Sequence, residues 1–74
     1  MCLAVPGKVV SIEASKAVVD ILGNRRTVDV TLVNAGVGDW VLVHAGIAIQ
    51  VLDQDQAAAS VAAYKDLMDT IGMG

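Results

Sequence analysis

Two side chains in this 74-residue chain are suited to chemistry at a metal or an electrophile, and each type occurs once: Cys2 and His44. Residue 2 is small, so we expect Met1 to be removed, leaving Cys2 with a free ammonium that favours its thiolate. The thiolate is the form that binds metals and attacks electrophiles. The opposing interpretation is a cysteine tucked under the domain as a small apolar residue, because unreactive cysteines are usually buried.

His44 also allows two interpretations. It shares parity with Trp40 and Leu42 in an apolar run, so it is either a core histidine bonded to a backbone carbonyl or a metal ligand or proton partner near Cys2. One cysteine and one histidine cannot saturate a metal, since structural zinc sites use about four ligands. Any metal site here would have open positions, filled by a partner protein or by exogenous ligands.

The elements that position these residues begin with residues 1–7, Met-Cys-Leu-Ala-Val-Pro-Gly, which we expect to form a short extended arm. Pro6 fixes its own φ and biases Val5 toward an extended conformation. The arm gives the thiol a defined direction. Its apolar residues, Leu3, Ala4 and Val5, are suited to insertion into a partner's groove.

Apolar alternation and short apolar runs predict five strands, at residues 8–14, 17–22, 25–32, 40–45 and 47–52. We expect a β-bulge near Val10 and Ser11 and a hairpin turn at Gly23-Asn24. Inward-facing side chains are expected at Val28, Val30 and Leu32 in the third strand. The fourth strand, nearly all apolar, is expected to be covered on both faces.

The pattern changes to a helical period over residues 54–71, with Asp53 as N-cap, Gln56 at capping-box spacing and Gly72 as the C-terminal stop. The prediction is a mainly-β single domain over 1–74. It comprises the arm (1–7), a small OB-like five-stranded barrel (8–52) and a C-terminal α-helix (53–72).

Composition narrows the possible functions. The net charge of −3 and the scarcity of aromatic residues, Trp40 and Tyr64, argue against nucleic acid as a partner. A single cysteine cannot form an intrachain disulfide. The N-terminus does not resemble a signal peptide, and no apolar run approaches the ~20 residues that span a bilayer. We therefore expect a cytoplasmic protein with no membrane partner, and a monomer when alone.

Three blocks, residues 1–7, 28–33 and 38–49, resemble the motifs of the HypC/HybG/HupF family of hydrogenase maturation chaperones. The resemblance covers nearly the whole chain, in the right order. It implies an OB-like barrel with a C-terminal helix and no enzymatic activity. It also implies a partnership with HypD around an iron that carries cyanide and carbon monoxide, a transient Fe(CN)2CO unit. HypE and HypF would supply the cyanide, and the precursor of the [NiFe]-hydrogenase large subunit would receive the iron.

The resemblance also implies roles for individual residues. Cys2 would contact HypD, the iron and the precursor, and His44 would be a second contributor to the iron site. The partner-binding set then comprises Cys2, Leu3, Ala4, Val5, Pro6, Gly7 and His44. Two other functions stay open from the residues alone: a nucleic-acid-binding OB-fold domain and a small cysteine-dependent redox protein or enzyme.

Overall fold

The computed structural model describes residues 4–70, with side chains as far as Leu67. Its elements are β1 (Val5–Glu13), β2 (Lys16–Ile21), β3 (Asn24–Asp29), β4 (Trp40–His44), β5 (Ile47–Leu52) and α1 (Gln54–Thr70). The strands form a closed barrel in the order β1-β2-β3-β5-β4. This confirms the prediction of a mainly-β, OB-like barrel followed by a helix. Cys2, Leu3 and the predicted stop at Gly72 lie outside the described residues.

The interior of the barrel is filled by small aliphatic side chains. Valine dominates because its β-branched side chain fits a pleated, buried surface. No buried side chain in residues 4–67 is polar or charged. The core cluster consists of Val9, Ala17, Val19, Val28, Val30, Val41, Val43 and Ala48.

The first strand begins earlier than the sequence predicts, at Val5 and not at residue 8. Val5 pairs with Val43, and Pro6 and Gly7 pair with the two preceding residues of β4. Pro6 is less than 2% exposed, and Gly7 is buried. Residues 5–7 are thus barrel wall, and the expected arm of residues 1–7 is shorter, because pairing with β4 holds its last three residues.

The third strand ends earlier than predicted, at Asp29 and not at residue 32. The Asp29 carboxylate accepts a hydrogen bond from the Thr31 backbone N–H at 2.7 Å, and the Val33 N–H donates to the Val30 carbonyl. These local bonds turn the chain out of the sheet. Val30 still reaches the core, but the inward orientation predicted for Leu32 is wrong, since Leu32 is 70% exposed.

The turn between β2 and β3 is centred one residue earlier than predicted. Leu22 (φ 50°) and Gly23 (φ 89°) are both left-handed, the combination that a two-residue type I′ hairpin requires, while Asn24 already belongs to β3. The Asp20 carboxylate accepts the Gly23 N–H at 2.7 Å and holds the turn. Placing a leucine in this region costs roughly 1–2 kcal/mol.

Two irregular pairings complete the barrel. The register between β1 and β2 shifts between Val9 and Ser11, which confirms the predicted bulge. The closure between β3 and β5 consists of one parallel pair, Asp29 with Ile47, supported by a hydrogen bond from the Asp29 N–H to the Gly46 carbonyl at 2.9 Å.

The helix α1 begins with the predicted capping box. The Gln56 N–H donates to the Asp53 carboxylate at 2.7 Å, and the Gln56 side-chain oxygen accepts the Asp53 N–H at 3.0 Å. The helix lies beside β1, β4 and β5, and its residue Ala57 is buried. Among residues 4–70, no helix combines the length and the apolar character needed to cross a membrane.

Candidate metal and partner-binding site

We call residues 1–7 the N-terminal motif. Its described part, residues 4–7, enters the barrel next to the end of β4. The outermost pair of the β1–β4 ladder is Val5 with Val43. The residue before Val5 is Ala4, and the residue after Val43 is His44. Cys2 lies outside the described residues. The described residues Ala4 and His44 therefore lie at the same end of one pair of neighbouring strands.

His44 is the last residue of β4 and pairs with Ile47 across the two-residue turn Ala45-Gly46. It is half-buried, as are Trp40 and Leu42 at the same parity, while Val41 and Val43 between them are buried. The outer face of β4 is thus covered only in part. His44 makes no side-chain hydrogen bond to any other residue of the described segment. This placement disfavours the core-histidine interpretation and leaves the imidazole accessible at the barrel end.

The described residues do not complete a metal site around His44. Within residues 4–70, no group of three or more His, Cys, Asp and Glu side chains is arranged to hold a metal ion. A metal at this end of the barrel would therefore need donors from outside the described residues.

Part of the N-terminal motif forms one wall of a groove against the helix. Ala4, Pro6 and Leu42 line it from the barrel, and the volume is about 200 Å³. The opposite wall is one face of α1, with Ser60, Ala63, Tyr64 and Leu67. The helical period over residues 54–71 does not connect Tyr64 and Leu67 to the N-terminal motif. A helical period shows which face of a helix is apolar, not which strand covers that face.

A second groove, of about 490 Å³, lies along another face of the helix and is lined by Trp40, Gln54, Ala57, Ala58, Val61 and Ala62. Trp40 and Tyr64 are both half-buried and line different grooves. They do not form the shared stacking platform that a single-stranded nucleic acid requires. The aromatic residues therefore give no support to the nucleic-acid interpretation.

The backbone of Asp29 lies beside the turn that follows His44, since the Asp29 N–H donates to the Gly46 carbonyl. Hydrogen bonds from the Thr31 side chain and backbone N–H hold the pKa of Asp29 below its ordinary value of 3.8, and the Lys16 ammonium lowers it further. The Lys16 Nζ lies 3.7 Å from the Asp29 Oδ2. Asp29 is therefore an ionised group that fixes the end of β3.

These features define a class of protein: a small closed five-stranded barrel with a C-terminal helix, whose first strand pairs with a strand that ends in a histidine. The sequence model of the HupF/HypC family matches residues 1–64 of this chain. The chain belongs to the HupF/HypC family, as its three sequence blocks indicated.

Similar proteins from several bacteria extend this match over most of the chain. Hydrogenase maturation factor HypC of Escherichia coli (strain K12) is 38% identical over 76 residues, covering 93% of this chain and 84% of the relative. HypC of Helicobacter hepaticus is 40% identical over 74 residues, covering 96% and 86%. Hydrogenase maturation factor HybG of Escherichia coli (strain K12) is 35% identical over 75 residues, covering 90% and 92%.

Proposed function

We propose that this protein is a [NiFe]-hydrogenase maturation chaperone. With HypD, it holds the iron that receives cyanide and carbon monoxide, and it helps deliver that iron to the large-subunit precursor. The observation that carries the proposal is the similarity to hydrogenase maturation factors over nine-tenths of the chain, with a family match that starts at residue 1 and includes the cysteine motif.

The chemistry of the candidate ligands supports transient binding of the iron. A cysteine thiolate is a soft ligand, suited to an iron bearing strong-field ligands such as cyanide and carbon monoxide. Cys2 supplies this thiolate, and His44 is the second candidate ligand. A fuller protein ligand set would retain the metal, whereas one or two donors with open positions permit transfer. The Fe(CN)2CO unit is thus cargo shared with HypD, and its cyanide comes indirectly from HypE and HypF.

The partner surface is built around the beginning of β1. Cys2 and Leu3 precede the described residues. Ala4 and Val5 are half-buried at the barrel end, and Ala4 borders the groove with Tyr64. Pro6 and Gly7 are buried in β1. We therefore assign contact with the partner to residues 2–5, and to Pro6 and Gly7 the role of fixing where that segment leaves the barrel.

The proposal has two rivals, which make different predictions. A cysteine-dependent enzyme or redox protein would need a base near Cys2, and the sequence offers only His44. It would also show turnover in the isolated protein. A nucleic-acid-binding domain would need a basic groove with stacking aromatics. We propose instead a non-enzymatic protein of the cytoplasm, monomeric when alone, that binds neither nucleic acid nor membrane.

Co-purification with HypD, followed by infrared spectroscopy of the cyanide and carbonyl stretches, tests the proposal. The wild-type complex is expected to show both sets of bands. Cys2→Ala and the near-isosteric Cys2→Ser are expected to lose them while retaining the wild-type circular dichroism spectrum, because both lack the thiolate. His44→Ala is expected to have a smaller effect than either Cys2 variant.

Unchanged bands and iron content in the Cys2 variants would remove Cys2 from the iron site. Unfolding of His44→Ala would make His44 a structural residue. Turnover by the isolated wild-type protein that disappears in Cys2→Ser would favour the enzyme.

A further inference from the structure

We propose that the β2–β3 tip, defined as residues 22–26, is a docking element for the same partner that shares the iron with Cys2. The proposal rests on the function given above. It commits to a partner surface with an apolar pocket for Leu22 and carboxylates beside it for Arg25 and Arg26. The tip would act together with the N-terminal motif, so that one partner contacts both.

Leu22 is the first observation. Its side chain is 44% exposed and does not belong to the core cluster. Its φ of 50° lies in the region where glycine and asparagine are accommodated with little strain and leucine is not. The turn has its own stabilising features, since Gly23 takes the second left-handed position and Asp20 accepts its N–H. Folding therefore gives no reason for an exposed leucine at this position, whereas an interface does.

The position of the tip is the second observation. β2 runs antiparallel to β1, so the tip at its C-terminal end lies at the same end of the barrel as the beginning of β1. Gly7 and Ile21 are close neighbours: a Cβ placed on Gly7 would lie 3.1 Å from the Ile21 Cγ1. Leu22 follows Ile21 directly. The tip and the N-terminal motif therefore flank one continuous surface.

Charge is the third observation. The whole chain carries a net charge of −3, yet Arg25 and Arg26 are both exposed, on opposite faces of β3. In the described residues the one ion pair joins Lys16 and Asp29, so neither arginine forms an ion pair there, although Asp20 is the ladder partner of Arg25. Guanidinium groups recognise carboxylates through paired hydrogen bonds. The tip thus combines an apolar anchor with two cations, which complements an apolar pocket bordered by acidic residues.

The test compares binding of purified HypD to the wild type, to Leu22→Asn and to the control Leu32→Asn, by calorimetric titration. Leu32 is the more exposed leucine, 70% against 44%, and lies outside the tip. Leu22→Asn is expected to raise Kd about ten-fold, because it removes a buried leucine from the interface. Leu32→Asn is expected to change Kd by less than about two-fold.

Two further measurements separate binding from folding. Leu22→Asn is expected to have a thermal midpoint equal to or above that of the wild type, because asparagine tolerates positive φ. Arg25→Gln with Arg26→Gln is expected to weaken binding and to reduce its dependence on salt, because the lost contacts are between charges.

Several results would overturn this inference. An unchanged Kd for Leu22→Asn would exclude the tip from the interface, and a lowered thermal midpoint would make Leu22 structural. Sedimentation showing a wild-type dimer that Leu22→Asn dissociates would identify a second copy as the occupant. If Cys2→Ala loses the iron bands while Leu22→Asn binds normally, only the docking element fails. If the wild type does not bind HypD, the proposed function fails with it.

Discussion

At the residue scale, the N-terminal motif combines a residue type suited to metal chemistry with residues that belong to the barrel. Cys2 and His44 are the reactive types, and their types are read directly from the sequence. Pro6 and Gly7 look, in the sequence, like part of a free arm, yet they are buried in β1. Gly7 is confined by Val19 and Ile21, since a Cβ placed on Gly7 would lie 3.1 Å from side-chain carbons of both. The motif therefore combines a cysteine, a residue type suited to metal binding, with two tightly packed residues, Pro6 and Gly7.

Gly7→Ala is expected to lower the free energy of unfolding by about 1–3 kcal/mol, the usual cost of overpacking a filled interior. A urea titration followed by circular dichroism measures it. The matched control is Gly36→Ala, where the nearest neighbour of the added Cβ, an Asp39 carboxylate oxygen, is 3.7 Å away, and the expected change is within about 0.5 kcal/mol. Equal stability of the two variants would show that β1 and β2 adjust to the added methyl group without cost.

At the element scale, α1 depends strongly on its first turn. It has one buried residue, Ala57, among those with described side chains, so packing against the barrel contributes modestly. The capping box of Asp53 and Gln56 satisfies backbone donors that the helix itself leaves free. Because α1 forms one wall of the groove beside Ala4 and Pro6, the cap also supports the candidate site.

Asp53→Ala is expected to lower the free energy of unfolding by about 1 kcal/mol, the typical cost of losing an N-cap. Thermal unfolding followed by far-ultraviolet circular dichroism measures the loss. Asp55→Ala is the control, because Asp55 also lies in the first turn but is not the cap, and its loss removes only a favourable dipole interaction of roughly 0.3–1 kcal/mol. Equal effects of the two substitutions would mean that charge, and not capping, stabilises this end of the helix.

At the scale of the whole molecule, the barrel is closed by one β3–β5 pair at Asp29 and Ile47. The Asp29 carboxylate accepts the Thr31 N–H and lies near the Lys16 ammonium. These interactions keep the pKa of Asp29 below 3.8. The folded state thus favours the ionised form. Its contribution to stability is present above the ordinary pKa and is lost as the pH falls through the lower, folded value.

Acid is therefore expected to lower the urea midpoint as the pH falls below about 4, and Asp29→Asn is expected to make this fall shallower. The variant has no carboxylate to protonate, so its stability is expected to be lower at neutral pH but less sensitive to acid. Urea titrations between about pH 7 and pH 2 measure both effects. The control, Asp66→Asn, alters an exposed helix carboxylate and is expected to keep the acid dependence of the wild type. The same slope in Asp29→Asn and wild type would exclude Asp29 as a source of acid sensitivity.

The sequence by itself determined what depends on near neighbours along the chain. Alternation predicted the strands, the Asp53–Gln56 spacing predicted the capping box, and the bulge near Val10 was visible as a change of parity. The family motifs and the reactive residue types are likewise properties of short segments. Local patterns of this kind suffice because backbone hydrogen bonds and side-chain faces repeat with fixed periods.

Only the tertiary structure decided which distant segments meet. The Val5–Val43 pairing brings the N-terminal motif to the end of the strand that carries His44, although the two segments are far apart in the sequence. The early end of β3, the exposure of Leu32 and the groove between Ala4 and Tyr64 also follow from contacts that no local period encodes. Strand register and helix docking are set by the packing of the whole barrel. The geometry of the candidate site therefore depends on long-range contacts and does not follow from local sequence patterns.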